Sequence, residues 1–462
     1  MILYKHHTSK LLLQIAFTIA LLSSHSRGQE LFDLGYRLQS DSQFRESFLS
    51  SYGINAENEP PITELESVIL QKVAEMFKVN TAYAQTMLES LVSENTKTSA
   101  TFNYLLANLY FENEEYLLAE TEYQKAIEKF PSFQRAWKNL GVLLMRGDDI
   151  EKSMQAFSKS VSLGDTSAGT LGRLAYCHFL LGNFLSSEAA YTQAILHDPE
   201  NPQWLEGKVQ VFMESGRFEE AALMLDELIR RYPTSKIYWL AQSNAFLALS
   251  QNEQAARNIE LIRGMGAAGT DELNQLGRLY ASLGLGSLTY RTFSELVEKE
   301  PNSATLSIVE AAIALQEKGD NTTAKELVSL LEPDEENIPE QIAQSYFRLK
   351  ASLAKDSGDL DSAIEFWTEA LNRDPLNGEY LLRLASLQIE KGNKAQAYLF
   401  AERAQLDEGS RFTALLLQSK LLVEDRRFDD AQVTLGKALQ IRSSESLQNL
   451  YTRVVEASAQ LR

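Results

Sequence analysis

At 462 residues the chain exceeds what a single compact core normally organises, so two ordinary domains or one long array would both fit. Its 63 acidic residues against 44 basic ones leave a formal charge of −19, and a sequence-independent nucleic-acid binder would need a basic stripe instead. One cysteine, Cys177, cannot close an internal disulfide and leaves the redox compartment open.

The first residues address the compartment. Lys5 and Lys10 flank an apolar run over 11–22, and Ser24, Ser26 and Gly28 supply the small residues a signal peptidase requires. Residues 1–28 are therefore expected to be a cleaved export signal, with an uncleaved anchor as the alternative. The run is shorter than the roughly 20 residues that cross a bilayer, and no later segment is apolar enough to do so. No cysteine follows it closely, which excludes a lipid-anchored form. Cleavage would remove Lys5, Lys10 and Arg27 and take the formal charge to −22. The expected location is the periplasm, if the source is a Gram-negative bacterium.

Residues 29–95 read as an N-terminal helical cap region. A helix over 30–51 would bury Leu31, Leu34, Leu38, Phe44 and Phe48 before Asn58-Glu59-Pro60-Pro61 breaks it. Two further apolar-periodic helices, 65–77 and 82–92, have the size of a repeat without its glycine, alanine and proline marks, as a solenoid cap does.

From Ala100 one pattern recurs every 34 residues. The first copy carries Leu106, Ala107, Tyr110, Ala119, Tyr123, Ala126 and Pro131, and the second Trp137, Leu140, Gly141, Leu144, Ser153, Phe157 and Ser160. Pro131, Pro199, Pro233 and Pro301 are separated by whole multiples of 34, with Asp165 and Ala267 in the two missing places. Gly182, Gly216 and Gly284, and later Gly358 and Gly392, punctuate the turn within each period. Trp137 is expected to be buried in that frame. The blocks are 96–331, an acidic proline-bracketed loop over 332–343, and 344–442, closed by a capping helix over 443–462.

These residues resemble the tetratricopeptide repeat, whose pattern asks for Trp, Leu, Gly, Tyr, Ala, Phe, Ala and Pro at set positions. The resemblance implies an all-α fold: a right-handed superhelical solenoid of about ten helix-turn-helix repeats with helical caps and a concave inner wall.

Catalytic chemistry is hard to place on this pattern. His178 and His197 remain after signal removal, 19 residues apart, and neighbouring Cys177 and His178 project about 100° apart on a helix. A structural role is expected for both. Gly264, Gly266 and Gly269 match the spacing of a dinucleotide-binding loop but follow a helix, and so read as an inter-repeat turn. The acidic loop lacks calcium-site spacing. No catalytic residue, cofactor or metal site is predicted, and no nucleic-acid partner.

One group within the family holds the free carboxyl end of a partner peptide with Lys and Asn from one repeat, Asn from the next, and Lys and Arg from a third. The resemblance places Asn108, Asn139 and Arg173 at the two asparagine positions and the arginine position. Tyr104 and Gly169 hold the two lysine places, while Arg135 and Lys138 share a helix with Asn139 and could supply the charge. Positions 31 and then 34 residues apart return to one side of the array, so Asn108, Arg135, Lys138, Asn139 and Arg173, with Tyr104 and Tyr176, form the expected partner-binding set. Polar residues merely solvated on a helix face are the alternative. The runs Phe133-Gln134-Arg135-Ala136-Trp137-Lys138-Asn139-Leu140-Gly141 and Leu171-Gly172-Arg173-Leu174-Ala175-Tyr176-Cys177-His178 also resemble exported bacterial repeat proteins found with the TonB and ExbB/ExbD energy-transduction system. That implies a partner in the periplasmic machinery or an outer-membrane receptor. The expected function is a non-catalytic scaffold holding an extended or helical segment of another protein; a polysaccharide- or peptidoglycan-associated accessory, with Tyr104, Phe111, Tyr176 and Phe179 lining the groove, is the rival.

Overall fold

Thirty-four residues suffice for two helices of 13 or 14 residues and two short turns, and most periods in the computed structural model are built that way. The structure describes residues 58–94, 97–300, 304–331 and 338–461. The expected export signal, the helix over 30–51, Pro301 and residues 332–337 of the acidic loop lie outside them. Twenty-three helices occupy the described residues, which hold no strand. The fold is thus of the all-α repeat-solenoid class.

The chain divides into two compact units, 1–258 and 259–462. In the first, α1 (Glu64–Val79) and α2 (Thr81–Glu94) precede the hairpins α3 (Ala100–Glu112) with α4 (Tyr116–Lys129), α5 (Gln134–Arg146) with α6 (Ile150–Ser162), α7 (Ala168–Leu180) with α8 (Phe184–His197), and α9 (Pro202–Glu214) with α10 (Phe218–Arg231). Then come α11 (Lys236–Ala248) and α12 (Asn252–Gly264), whose second half belongs to the next unit.

Each hairpin turns at one left-handed residue. Positive φ occurs at 114, 148, 182, 216, 250 and 284, a strict 34-residue rhythm, and again at 319, 358, 392 and 426. Glycine fills six of these ten places; Glu114, Asp148, Ser250 and Arg426 take the others at φ of 58° to 63°, where a Cβ is disfavoured.

The two helices of a hairpin approach closely because their contact positions are small. Ala107, Ala119 and Ala126 are fully enclosed, and a Cβ built on Gly141 would stand 2.8 Å from the Phe157 ring. Hydroxyls add a tie between the helices: Ser153 Oγ donates to the Gly141 carbonyl at 2.8 Å and Ser187 Oγ to that of Ala175 at 2.7 Å. Between hairpins the core is continuous side-chain packing, as where Phe102, Leu106, Tyr123, Phe133 and Leu140 form one cluster. α1 and α2 put Val73 and Leu88 into that cluster and leave Leu65, Val68 and Tyr83 to solvent.

The second unit repeats this logic from α13 (Thr270–Leu283) and α14 (Gly286–Lys299) onward. Its seventh-period hairpin, α15 (Thr305–Glu317) and α16 (Asn321–Ser329), has a second helix of only nine residues. α17 (Glu340–Asp356) to α22 (Phe428–Ile441) form three more hairpins, and α23 (Glu445–Leu461) lays Leu447 and Val454 on the last core layer.

One expectation changes here. Trp137 is only half-buried; its ring edge reaches the mouth of the preceding hairpin, where Nε1 donates to the Pro131 carbonyl at 2.9 Å. Trp239 repeats the contact with Pro233 at 2.8 Å. The indole therefore ties one repeat's first helix to the loop before it.

Candidate functional site

The residues expected to bind a partner come from the first helices of three successive hairpins, and the structure does bring several together. Asn139 Nδ2, on α5, donates to Asn108 Oδ1, on α3, at 3.0 Å and to Tyr104 Oη at 3.1 Å, while Tyr123 Oη donates to the same Asn108 oxygen at 2.6 Å. Convergence of the two asparagines is as the 31-residue spacing requires. Their exposure is not as expected: Asn108 is 1%, Asn139 5% and Tyr123 0% accessible. At such burial polar groups pair with one another, and these form a seam between repeats in which the Asn108 oxygen is doubly used while its Nδ2 has no acceptor. Burial also pushes the phenols of Tyr104 and Tyr123 above the usual tyrosine range.

Arg173 departs further from an open wall. It is 3% accessible, and its Nη1 turns back to the Gly169 carbonyl one helical turn earlier, at 3.2 Å. The glycine in the expected lysine place explains this, since a Cβ there would stand 3.0 Å from that nitrogen. Tyr176 is buried and stacks on Phe179 with centroids 6.4 Å apart, and Tyr104 is buried against Phe133 at 4.9 Å. Neither ring offers a free face to a sugar. Phe111 and Phe179 remain half-buried, with the Arg146 guanidinium 6.0 Å from the Phe111 centroid.

Further along the same side the seam continues. Tyr238 Oη donates to Glu206 Oε1 at 2.6 Å, and Gln242 Nε2 donates to the Ala222 carbonyl of the preceding hairpin at 3.1 Å. Glu206 and Gln242 are each 3% accessible. The polar residues of the first-helix face are thus largely consumed in joining repeats.

Within the expected set the exceptions are Arg135 and Lys138, both half-buried at the start of α5. Lys138 helps to keep the Asp165 carboxylate ionised: although burial opposes it, the hydroxyls of Ser167 and Thr170 and then the Lys138 charge hold that group below the ordinary aspartate range. Ser167 Oγ and Thr170 Oγ1 donate to it at 2.6 and 2.7 Å, so Asp165 organises the entry to α7 in place of a proline.

Arg135 has a partner that the sequence reading did not include. Its Nε lies 2.8 Å from Glu59 Oε1, on the segment before α1. Asn58 Nδ2 donates to the Leu163 carbonyl at 2.7 Å, and Pro60 is buried. Thr63 then caps α1 reciprocally with Glu66, whose other oxygen accepts the Ser99 N–H at 2.8 Å, at the entry to α3. Residues 58–66 therefore run across the mouths of the first two hairpins, where first helices begin and second helices end. The sequence offered one sign of it, the Thr63-x-x-Glu66 capping box directly after Pro60-Pro61.

Nothing at Cys177 and His178 suggests a reactive pair. The thiol is fully buried, contacts Ser153 Oγ at 3.4 Å, and is pushed by burial up to about 11. Burial likewise lowers His178, favouring the neutral ring. Gly264, Gly266 and Gly269 form the turn from α12 to α13, with the Gly269 N–H donating to Glu272 at 2.6 Å. Among the described residues no three His, Cys, Asp or Glu side chains gather as metal ligands, and no helix is long and apolar enough to cross a membrane.

Three segments, 104–168, 174–236 and 348–411, match the model of the tetratricopeptide repeat family. Over 182 residues the chain is 25% identical to the cellulose synthase operon protein C of Pseudomonas fluorescens (strain SBW25), a match covering 37% of this chain and 14% of that protein. The chain therefore spans only a small part of that relative's length. Among solved structures, the Naa15/Naa10 assembly bound to HypK-THB is similar over 88% of this chain and 68% of that one, at 15% identity and a TM-score of 0.38. The C-terminal part of a repeat-containing protein from Cytophaga hutchinsonii is similar over 67% and 97%, at 15% identity and 0.35. MamA from Desulfovibrio magneticus RS-1 is similar over 37% and 96%, at 12% identity and 0.33.

Proposed function

For a chain that carries tetratricopeptide repeats, we propose the role of a non-catalytic scaffold that binds a segment of another protein. The observation that carries this reading is the use of the polar residues. Asn108, Asn139, Glu206 and Gln242 are spent on joining repeats, the thiol is inert, and the half-buried cations Arg135 and Lys138 sit at a hairpin mouth already meeting an extended stretch of polypeptide. Such a surface recognises backbone and carboxylate; it carries no group poised for bond-breaking.

The finer proposal is that the scaffold works after export, in the cell envelope. Lys5, Lys10, the apolar run and the small residues to Gly28 support it, as does the resemblance of residues 133–141 and 171–178 to exported repeat proteins of TonB-linked systems. A partner in that energy-transduction or outer-membrane transport machinery follows from the same reading. Mass spectrometry of the native N-terminus tests export, and an intact Met1 on a cytoplasmic species would overturn it.

A second reading, an accessory to envelope polysaccharide, is favoured by the 25% identity to the cellulose synthase operon protein C. Affinity capture from native-host envelope, run beside binding to purified polysaccharides, separates the two. The scaffold reading expects a discrete protein recovered in near-stoichiometric amount and no glycan retained. Retention of polysaccharide without protein would overturn it.

A further inference from the structure

At the mouth of the second hairpin the chain holds a piece of itself as a ligand is held. The Glu59 carboxylate pairs with Arg135 at 2.8 Å, with 14% of the glutamate side chain and 29% of the arginine exposed. One residue earlier, the Asn58 side-chain amide donates at 2.7 Å to the Leu163 carbonyl, just past α6, and Gln134 Nε2 reaches the same oxygen at 3.3 Å. One residue later, Pro60 is buried; having no N–H, it sacrifices no hydrogen bond there. Three consecutive side chains thus find a carbonyl acceptor, a cation and a place out of solvent, and neither the acceptor nor the cation belongs to a helix that residues 58–60 could join.

We propose that residues 58–60 are a displaceable internal ligand, and that an extended, acidic segment of the partner protein, with a carboxylate directly before proline, takes the same place. The inference rests on the scaffold reading and names the partner's chemistry. Its occupant follows from charge: Arg135 is a cation on a chain of net charge −19, and the group it faces in the structure is the Glu59 carboxylate. Displacement follows from energetics. Burial pushes the Glu59 carboxyl above its usual range against the pull of Arg135, so the desolvation cost offsets much of the attraction. The internal copy competes through proximity, since the short tether Pro61-Ile62 to α1 gives it an effective concentration on the order of millimolar. A partner must exceed that, or meet the site when the strap is open.

The probe is a fluorescent peptide with the chain's own residues 56–64, titrated by anisotropy into the full-length protein. The wild type should bind it weakly. Glu59→Gln keeps the side chain's shape, removes its charge, and should raise the peptide's affinity at least fivefold; adding Arg135→Ala should abolish the gain, and a peptide carrying Gln at the Glu59 position should not bind. Hydrogen exchange of amides 62–66 should quicken in Glu59→Gln, with melting unchanged to within a few degrees. If Arg135→Ala unfolds, Arg135→Lys supplies the comparison, with a partial loss expected from its single-point charge.

Equal binding by wild type and Glu59→Gln, or binding indifferent to Arg135, would make the strap a fixed brace and overturn the inference. The two readings fail separately. A protein partner captured equally by wild type and Glu59→Gln keeps the scaffold and removes the internal ligand. Peptide bound by Glu59→Gln in a chain that captures only polysaccharide does the reverse.

Discussion

Replacing Asn108 by alanine should unlock the first two repeats. Asn108 Oδ1 accepts from Tyr123 Oη at 2.6 Å and from Asn139 Nδ2 at 3.0 Å, at a site where none of the three side chains exceeds 5% exposure. Without that oxygen the Tyr123 hydroxyl becomes a buried donor with no acceptor, a cost of about 1–3 kcal/mol. Asn139 retains Tyr104 Oη at 3.1 Å, so its loss is smaller, about 1 kcal/mol, and the total is about 2–4 kcal/mol. Repeat arrays unfold piecewise, which makes a global melting curve a poor gauge. Hydrogen exchange of amides in α3, α4 and α5 reads the local change, and about 2–4 kcal/mol corresponds to roughly 30- to 800-fold faster exchange. Asn108→Asp keeps an acceptor and should lose less. Exchange within threefold of wild type in Asn108→Ala would mean that the seam does not hold the repeats together.

Three further outcomes follow. Gly172→Ala would set a Cβ 2.1 Å from the buried Trp204 ring, and should cost at least about 2 kcal/mol by denaturant titration of tryptophan fluorescence. Gly216→Ala, at φ 75° with open space around it, should cost about 1 kcal/mol from backbone alone, whereas Asp148→Gly, at φ 62°, should be neutral or stabilising by up to about 1 kcal/mol in the same titration. Asp165→Asn should lose about 1–2 kcal/mol at pH 7; because the folded Asp165 titrates below its ordinary 3.8, its contribution is present above that value and lost as pH falls through the folded one, so the variants should converge in acid.

The repeat was legible because its demands are local and periodic. Alanine at 107, 119 and 126 marks where helices touch, Gly141 leaves room for Phe157, and glycine at six turn positions announces the left-handed residue. The turns at Glu114, Asp148, Ser250 and Arg426 carry no such mark, since the surrounding helices impose the conformation against the residue's own preference. Half of the candidate site was legible in the same way: the 31-residue interval does bring Asn108 and Asn139 together. Their burial was not, because exposure depends on how tightly first helices of adjacent repeats close, and spacing says nothing of that distance. Gly169 could have warned that Arg173 would fold back on its own helix. The contact of Glu59 with Arg135 joins residues 76 positions apart with no shared period, so the repeat frame has no place for it.

The most direct test puts a photocrosslinking residue at Lys138, beside Arg135 on α5, and at Leu223, exposed on α10, in the full-length protein expressed in its native host. A discrete protein adduct is expected from position 138, strengthened by Glu59→Gln, and none from position 223. No protein adduct at 138, or equal adducts from both positions, would contradict the proposal.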